Sequence, residues 1–471
     1  MLNNLLEVLR QGNNTLFYKI NDEEITYQEC YEKVLELSNN LKKQGNGSVI
    51  IYGDKSINTV IAILSCIVAK RCYIPIYTCT PLYRIEDIIS KMDVTLIIND
   101  HEINIDNIEC LSVEDINTKY QDINKYYEST NKYAYTIFTS GSTVKSKGVP
   151  ISYDNLNHFI NWVINLEEYK ECNNIKVLSQ ASFSFDLSVM DLYFSIYKNN
   201  SIIGISSCER NDLLKVYRTI QNNEINFLIM TPTFIKMLLI DKEFNEEKYP
   251  SIKYMFFCGE LLEVSTVKKI RERFNNVRII NAYGPTEATC FVTQVEIMDN
   301  MLSKEYLPVG KINTSAVDIS IRNNVIVLKG GSVFDGYLDV SSNTYYQEDN
   351  INTYNTGDIG LIKDNYLYCK GRIDNQIKYM GYRIELGDIE NNLLKIDGIK
   401  EAVVICKYKE DNIVKLIKGY VTINKNIDTN YIKKELAKLI PIYMVPKTIE
   451  IIEEIPINNN GKYDRRKLSE L

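Results

Sequence analysis

Residues 138–148 read FTSGSTVKSKG. Thr139, Ser140, Gly141, Ser142 and Thr143 stand in a row, and Lys145, Lys147 and Gly148 follow. Small residues bring backbone N–H groups close to an anion, and the hydroxyls add further donors. Lys147 would supply positive charge, so the chemistry that suits this stretch is the holding of a polyphosphate. It is not a Walker A loop, which needs GxxxxGK[ST] leading into a helix. For an isolated Ser/Gly stretch the ordinary reading is a polar surface loop.

Other clusters recur along the chain. Asp186 and Asp191 stand in the apolar stretch Phe183-Ser-Phe-Asp-Leu-Ser-Val-Met-Asp. Asp186 reads either as a helix cap or as an anchor for a substrate ammonium. Asn281-Ala-Tyr-Gly-Pro-Thr-Glu287 combines a Gly-Pro turn with a ring for stacking, a hydroxyl for phosphate and a carboxylate for Mg²⁺. Its plainer reading is a turn before a helix. Thr356-Gly-Asp358 offers an acid for a ribose diol, Gly371-Arg372-Ile-Asp374 lies at a change of texture, and Gly461-Lys462 lies near the C-terminus. Taken singly, a terminal Gly-Lys is a solvated tail.

The bulk numbers bound the chemistry. A chain of 471 residues has room for two or three domains. The net charge is −7 and there is no long basic block, which argues against nucleic acid as the main partner. The 11 cysteines are scattered without CxxC, as expected of free thiols in a reducing, cytoplasmic setting. The N-terminus lacks a signal-peptide layout, and the apolar run 60–69 is too short to span a bilayer. Only two histidines occur, so histidine triads and His-rich metal sites are nearly excluded. Catalysis must rest on lysine, arginine, carboxylates and backbone donors.

These groups need elements to hold them. Thr26-x-x-Glu29 predicts a capping box, followed by apolar residues at helical spacing that run to Gly45. Strands are expected at 48–52, 73–77 and 94–98, with helices at 57–70 and 82–92 between them. This alternation predicts parallel βαβ units, and it resumes from 133 to about 290. Residues 305–372 turn to short β-rich runs. Beyond them, helices at 384–394 and 432–439 with strands at 402–406 and 416–421 suit a compact α+β domain.

In this order and over essentially the whole chain, the motifs resemble those of the adenylate-forming enzymes, which include amino-acid adenylation domains, acyl-CoA synthetases and firefly luciferase. The resemblance implies an α/β fold. A large N-terminal domain (1–373) of α/β subdomains would include a β-barrel-like portion at about 305–373, and a small mobile α+β domain would span 374–471. It implies ATP and Mg²⁺ as cofactors. Thr139, Ser140, Gly141, Ser142, Thr143 and Lys147 then fall on the ATP-phosphate loop, and Asn281, Ala282 and Tyr283 on the adenine site. Thr286 and Glu287 fall on the phosphate and metal contacts, Asp358 and Arg372 on the ribose contacts, and Asp374 on the hinge. Lys462 falls on the catalytic lysine that bridges substrate carboxylate and α-phosphate.

The resemblance also narrows the substrate. Amino-acid-activating members carry an aspartate where Asp186 stands, and fatty-acyl members have no amine to bind. Leu187, Met190, Phe256, Cys258, Ala282, Cys290 and Phe291 would line the pocket, which leaves space for a small amino acid. Each of these is equally at home in an ordinary core. SFSFDLSVMDLY, FFCGELL and NAYGPTEAT look most like the D-alanine–carrier protein ligases of lipoteichoic acid biosynthesis, with Cys258 bordering the D-alanine side chain. Ala282, Cys290 and Phe291 depart from that subfamily's pattern, so glycine, L-alanine, serine and β-alanine stay open. The expected partner is a phosphopantetheinylated carrier protein acting in trans; such carriers are usually acidic, and the basic cluster Arg465, Arg466 and Lys467 could meet one, although such a cluster is more commonly a solvated tail. Val144 and Ser146 stand where the family has glycine and proline, so a catalytically inactive, nucleotide- or partner-binding homologue is the alternative of another class.

Overall fold

The computed structural model describes residues 2–123, 125–129, 131–139, 147–210, 212–338, 343–374, 376–379, 382–408, 414–456 and 463–470. The chain divides into two compact units. The first comprises Met1–Thr78, Met92–Ile137 and Val149–Gly371, and the second Cys79–Lys91, Phe138–Gly148 and Arg372–Leu471.

The first unit contains three sheets. In the eight-stranded one the spatial order is Thr293–Glu296, Arg278–Tyr283, Tyr254–Phe257, Phe227–Met230, Lys176–Ser179, Ser201–Gly204, Leu16–Ile20 and Glu23–Thr26. Its interior pairings are parallel and its two edge pairings antiparallel. The interior strands Tyr254–Phe257 and Phe227–Met230 are buried throughout, as expected of a parallel sheet covered on both faces.

A six-stranded sheet runs Glu109–Leu111, Val94–Asn99, Ser48–Tyr52, Tyr73–Ile76, Tyr133–Thr139 and Lys147–Ser152. Its strands and the helices Ile57–Val68 and Leu82–Ile89 fall within a few residues of the predicted βαβ rhythm. The Thr26 capping box forms as expected, with Thr26 accepting from the Glu29 amide and Glu29 accepting from the Thr26 amide. The β-rich stretch folds into an antiparallel sheet ordered Gly310–Lys311, Tyr366–Arg372, Ile351–Lys363, Val325–Lys329 and Asp318–Arg322, with Tyr345–Glu348 paired on Ile351–Lys363.

In the second unit, Ile399–Tyr408, Val414–Ile423 and Thr448–Ile451 form a sheet, with helices Leu386–Leu393, Thr429–Leu436 and Arg465–Glu470. Two expected helices are displaced. The one expected from 384 begins at Leu386, because Tyr382–Glu385 pairs as a strand with Gln376–Tyr379. The one expected over 432–439 starts at Thr429, where the Asp428 side chain accepts from the Tyr431 amide and caps it. The helix Leu82–Ile89 belongs to this unit through Arg84. Its guanidinium lies 2.7 Å from the buried Asp388 carboxylate and donates to the Leu439 carbonyl. Among the described residues no helix is long and apolar enough to cross a membrane.

Candidate active site

The strand Arg278–Tyr283 delivers the central motif. Gly284 and Pro285 stop it and fold the chain back, so that Tyr283 comes to pair with Thr293. A Cβ on Gly284 would sit 2.3 Å from the Phe291 Cα, so this return admits only glycine. Thr286–Ala288 makes one 3-10 turn, and Thr289 and Cys290 then both adopt positive φ, 58° and 74°. Such values are strained for a β-branched residue. The Thr289 hydroxyl donates to the Ser332 carbonyl at 2.8 Å and holds the turn there.

This geometry brings the predicted groups of the first unit into pairs. The Thr286 hydroxyl donates to Asp186 Oδ2 at 2.6 Å. The Tyr283 hydroxyl donates to Asp358 Oδ2 at 2.6 Å. Burial, then the adjacent Asp358 charge, pushes the Tyr283 phenol well above its ordinary range, so it stays a donor. Asn281 donates to the Pro308 carbonyl, which fixes its side chain beside the same strand. The Glu287 carboxylate is fully buried and accepts from the Tyr337 hydroxyl at 2.5 Å. Its backbone carbonyl accepts from the Phe334 amide.

Asp186 is buried, yet it does not act as a helix cap. Its backbone is already helical, and its side chain makes no capping hydrogen bond. Leu187 and Met190 follow on the same helix, which widens into a π turn over Met190–Phe194. Insertions of this kind are frequent at functional sites. Cys258 and Ala282 are buried at the ends of neighbouring strands. Phe256 and Phe291 are fully buried and stack edge-on or tilted within a ring cluster that includes Phe159 and Trp162.

Burial, reinforced by the Asp186 carboxylate and the Cys258 thiol nearby, pushes the Cys290 thiol well above its ordinary range. A protonated, buried thiol is a poor nucleophile. The Cys290 thiol is thus suited to packing rather than to nucleophilic attack.

The remaining predicted residues belong to the second unit. Thr139 ends the strand Tyr133–Thr139 and is partly exposed. Lys147 Nζ lies 3.8 Å from Glu385 Oε1. Arg372 grips Asp374 through two bonds of 2.7 Å. Burial would raise the Asp374 carboxyl, but this pairing outweighs it and holds the group below its ordinary range. Ser140, Gly141, Ser142, Thr143 and Lys462, like Val144 and Ser146, lie outside the described residues.

Among the described residues no cluster of three or more His, Cys, Asp or Glu side chains could cage a metal ion.

Two residues escaped the sequence reading, and a third was named there without a role. Tyr337, the partner of Glu287, lies fifty residues away in sequence with no motif around it. Lys55 follows a strand in the plain turn Gly53-Asp54-Lys55-Ser56. Asp191 was visible as a carboxylate on an apolar helix, a signal that could have marked it.

The AMP-binding enzyme family matches residues 7–338, and the AMP-binding enzyme C-terminal domain matches residues 388–462. The chain is 35% identical to the D-alanine–D-alanyl carrier protein ligase of Staphylococcus epidermidis over 100% of this chain and 99% of that one. It is 35% identical to the ligase of the same name from Listeria monocytogenes, covering 92% and 90% of the two chains. Among solved structures it resembles the Vibrio cholerae adenylation domain AlmE in complex with glycyl-adenosine-5'-phosphate. The TM-score is 0.84 at 21% identity, over 99% and 96% of the chains. The o-succinylbenzoate CoA synthetase of Bacillus subtilis also gives a TM-score of 0.84, at 17% identity over 100% and 98%.

Proposed function

Because the chain belongs to the AMP-binding enzyme family, we propose that it activates D-alanine with ATP as the aminoacyl-adenylate and passes the acyl group to the phosphopantetheine thiol of a separate carrier protein. Relatives that match it over 92% to 100% of its length are named D-alanine–D-alanyl carrier protein ligases, which supports D-alanine and a carrier protein as the reactants. The observation that carries the reading is the buried Asp186 carboxylate, bonded at 2.6 Å to the Thr286 hydroxyl. It is an acceptor suited to an ammonium, and it adjoins the hydroxyl assigned to phosphate.

The two assignments are linked by hydrogen-bond supply. A threonine hydroxyl has one proton to donate. While Thr286 gives it to Asp186, it cannot give it to a phosphate oxygen. A substrate ammonium brings three donors to Asp186 and frees Thr286 to turn toward ATP. The amine thereby favours the arrangement that receives the nucleotide.

The substrate carboxylate must attack an α-phosphate that already carries negative charge. Lys147 and Lys462, assigned by position, offset that repulsion and the charge that builds in the transition state. Mg²⁺ bound through Glu287 would supply the remaining charge compensation. Tyr283, Asp358 and Asn281 hold the nucleoside, and fixed orientation of both reactants supplies the rest. The acceptor thiol would be the phosphopantetheine of the carrier, since a buried, protonated thiol such as Cys290 is poorly suited to the attack. All the cysteines are free thiols, which suits the cytoplasm, where ATP is available.

Incubating the protein with ATP, Mg²⁺, D-alanine and a phosphopantetheinylated D-alanyl carrier tests the transfer. A hydroxylamine-labile mass increase on the carrier is expected. Adenylate formation without any carrier thioester would contradict the second half of the reading.

A further inference from the structure

A chain of buried polar groups lies behind the helix that carries Asp186. The Lys55 ammonium donates to both the carbonyl and the hydroxyl of Ser179, each at 2.6 Å. The Ser179 hydroxyl donates in turn to Asp191 Oδ2 at 2.6 Å. Lys55 also stands over the Phe183 ring, 5.6 Å from its centre. Lys55, Ser179 and Asp191 are all buried. These contacts clamp one short segment at both ends. Ser179 closes the strand Lys176–Ser179, Phe183 lies in the connection, and Asp191 sits in the π turn. Asp186 lies between the clamped points.

Stability alone is a weak reason to keep two buried charges bridged through one hydroxyl. Even a directly paired buried couple is often replaceable by apolar residues of similar volume at no loss. Burial acts on both charges here. It pulls the Lys55 ammonium below its ordinary range and lifts the Asp191 carboxyl above its own, each partly offset by the other. Asp191 Oδ1 has no hydrogen-bond partner among the described residues. Asp54 and Arg210 complete the charged surroundings of Lys55, and Tyr18 lies on the Asp191 side. What a directed chain supplies, and apolar packing does not, is a fixed register for the helix start.

We propose that Lys55, Ser179 and Asp191 are positioning residues that set where Asp186 stands, and so set the grip of the pocket on the substrate amine. The proposal rests on the reading of Asp186 as the amine site. The chain makes no contact with nucleotide in this account, so its loss acts directly on the amino acid and reaches ATP only through the Thr286 hydroxyl bonded to Asp186.

Lys55→Met and Asp191→Asn, together with the paired Lys55→Met/Asp191→Leu, test it in the full chain. Pyrophosphate exchange is expected to show a KM for D-alanine raised about tenfold or more, with the KM for ATP, taken at saturating D-alanine, unchanged. The paired variant removes both buried charges and is expected to regain thermal stability while its KM for D-alanine stays high. It also keeps the test open should a single variant fail to fold. Recovery of both stability and KM in the paired variant would overturn the proposal, as would an equal rise in the KM for ATP. Hydrogen exchange over residues 183–194 gives a readout independent of activity, and faster exchange confined to that segment is expected. A wild-type chain that activates no amino acid would defeat the functional reading, whereas unaltered exchange in the variants would defeat the clamp.

Discussion

At the scale of single residues, the account turns on Asp186. It has the burial of a core residue and the charge of a surface one, and Thr286 satisfies one of its oxygens. Asp186→Asn keeps the shape and can still accept from Thr286, but it removes the charge that an ammonium needs. Charge-assisted hydrogen bonds are roughly twice as strong as neutral ones. Steady-state exchange assays of this variant should show a KM for D-alanine raised at least about tenfold, in line with the loss of about 1.4 kcal/mol or more, and, at saturating D-alanine, a nearly unchanged KM for ATP. An unchanged KM for D-alanine would mean that the amine binds elsewhere. Asp186 was legible because a carboxylate in an apolar run demands a partner. Lys55 was not, since a lysine after a strand is usually solvated, and only the fold brings it to Ser179 across 124 residues of sequence.

At the scale of elements, the return after the strand Arg278–Tyr283 is the most tightly constrained piece of the site. Gly284 has no room for a Cβ against the Phe291 backbone, and backbone cannot swing aside as a flexible side chain can. Gly284→Ala should cost roughly 1–3 kcal/mol, read as a lower urea midpoint. It should also lower activity, because Thr286 and Glu287 follow directly. Wild-type stability in this variant would show the turn to be looser than it stands here. The strands and helices themselves were readable because hydrophobic period and caps are local signals. The displaced helix starts at Leu386 and Thr429 were not, because a strand pairing decided the first and a cap at Asp428 the second. Membership of the helix Leu82–Ile89 in the second unit was hidden for a similar reason. It depends on Arg84 meeting Asp388, 304 residues away. Arg84→Met would leave that carboxylate buried without its cation, at a cost of about 3–5 kcal/mol near neutral pH. Burial, only partly opposed by Arg84, already lifts the Asp388 carboxyl above its ordinary range. Without Arg84 the charged form becomes costlier still, so the loss should shrink as acid protonates the group. Urea titrations at neutral and mildly acidic pH would show this, and a pH-independent loss would count against it.

At the scale of the whole molecule, two compact units carry the assigned groups. The first holds the adenine, amine and metal assignments, and the second holds Lys147, Arg372 and Asp374. The order of the motifs was legible along the whole chain because each is a short run of chemically specific residues. The pairings Thr286–Asp186, Tyr283–Asp358 and Tyr337–Glu287 were not, because each joins distant stretches. The central claim is that this chain makes an aminoacyl-adenylate from D-alanine. Amino-acid-dependent exchange of labelled pyrophosphate into ATP, run with D-alanine, L-alanine, glycine, serine and β-alanine, tests it most directly. The account predicts the fastest exchange with D-alanine and its near abolition by Lys462→Ala. Exchange with none of the five while ATP still binds would contradict it.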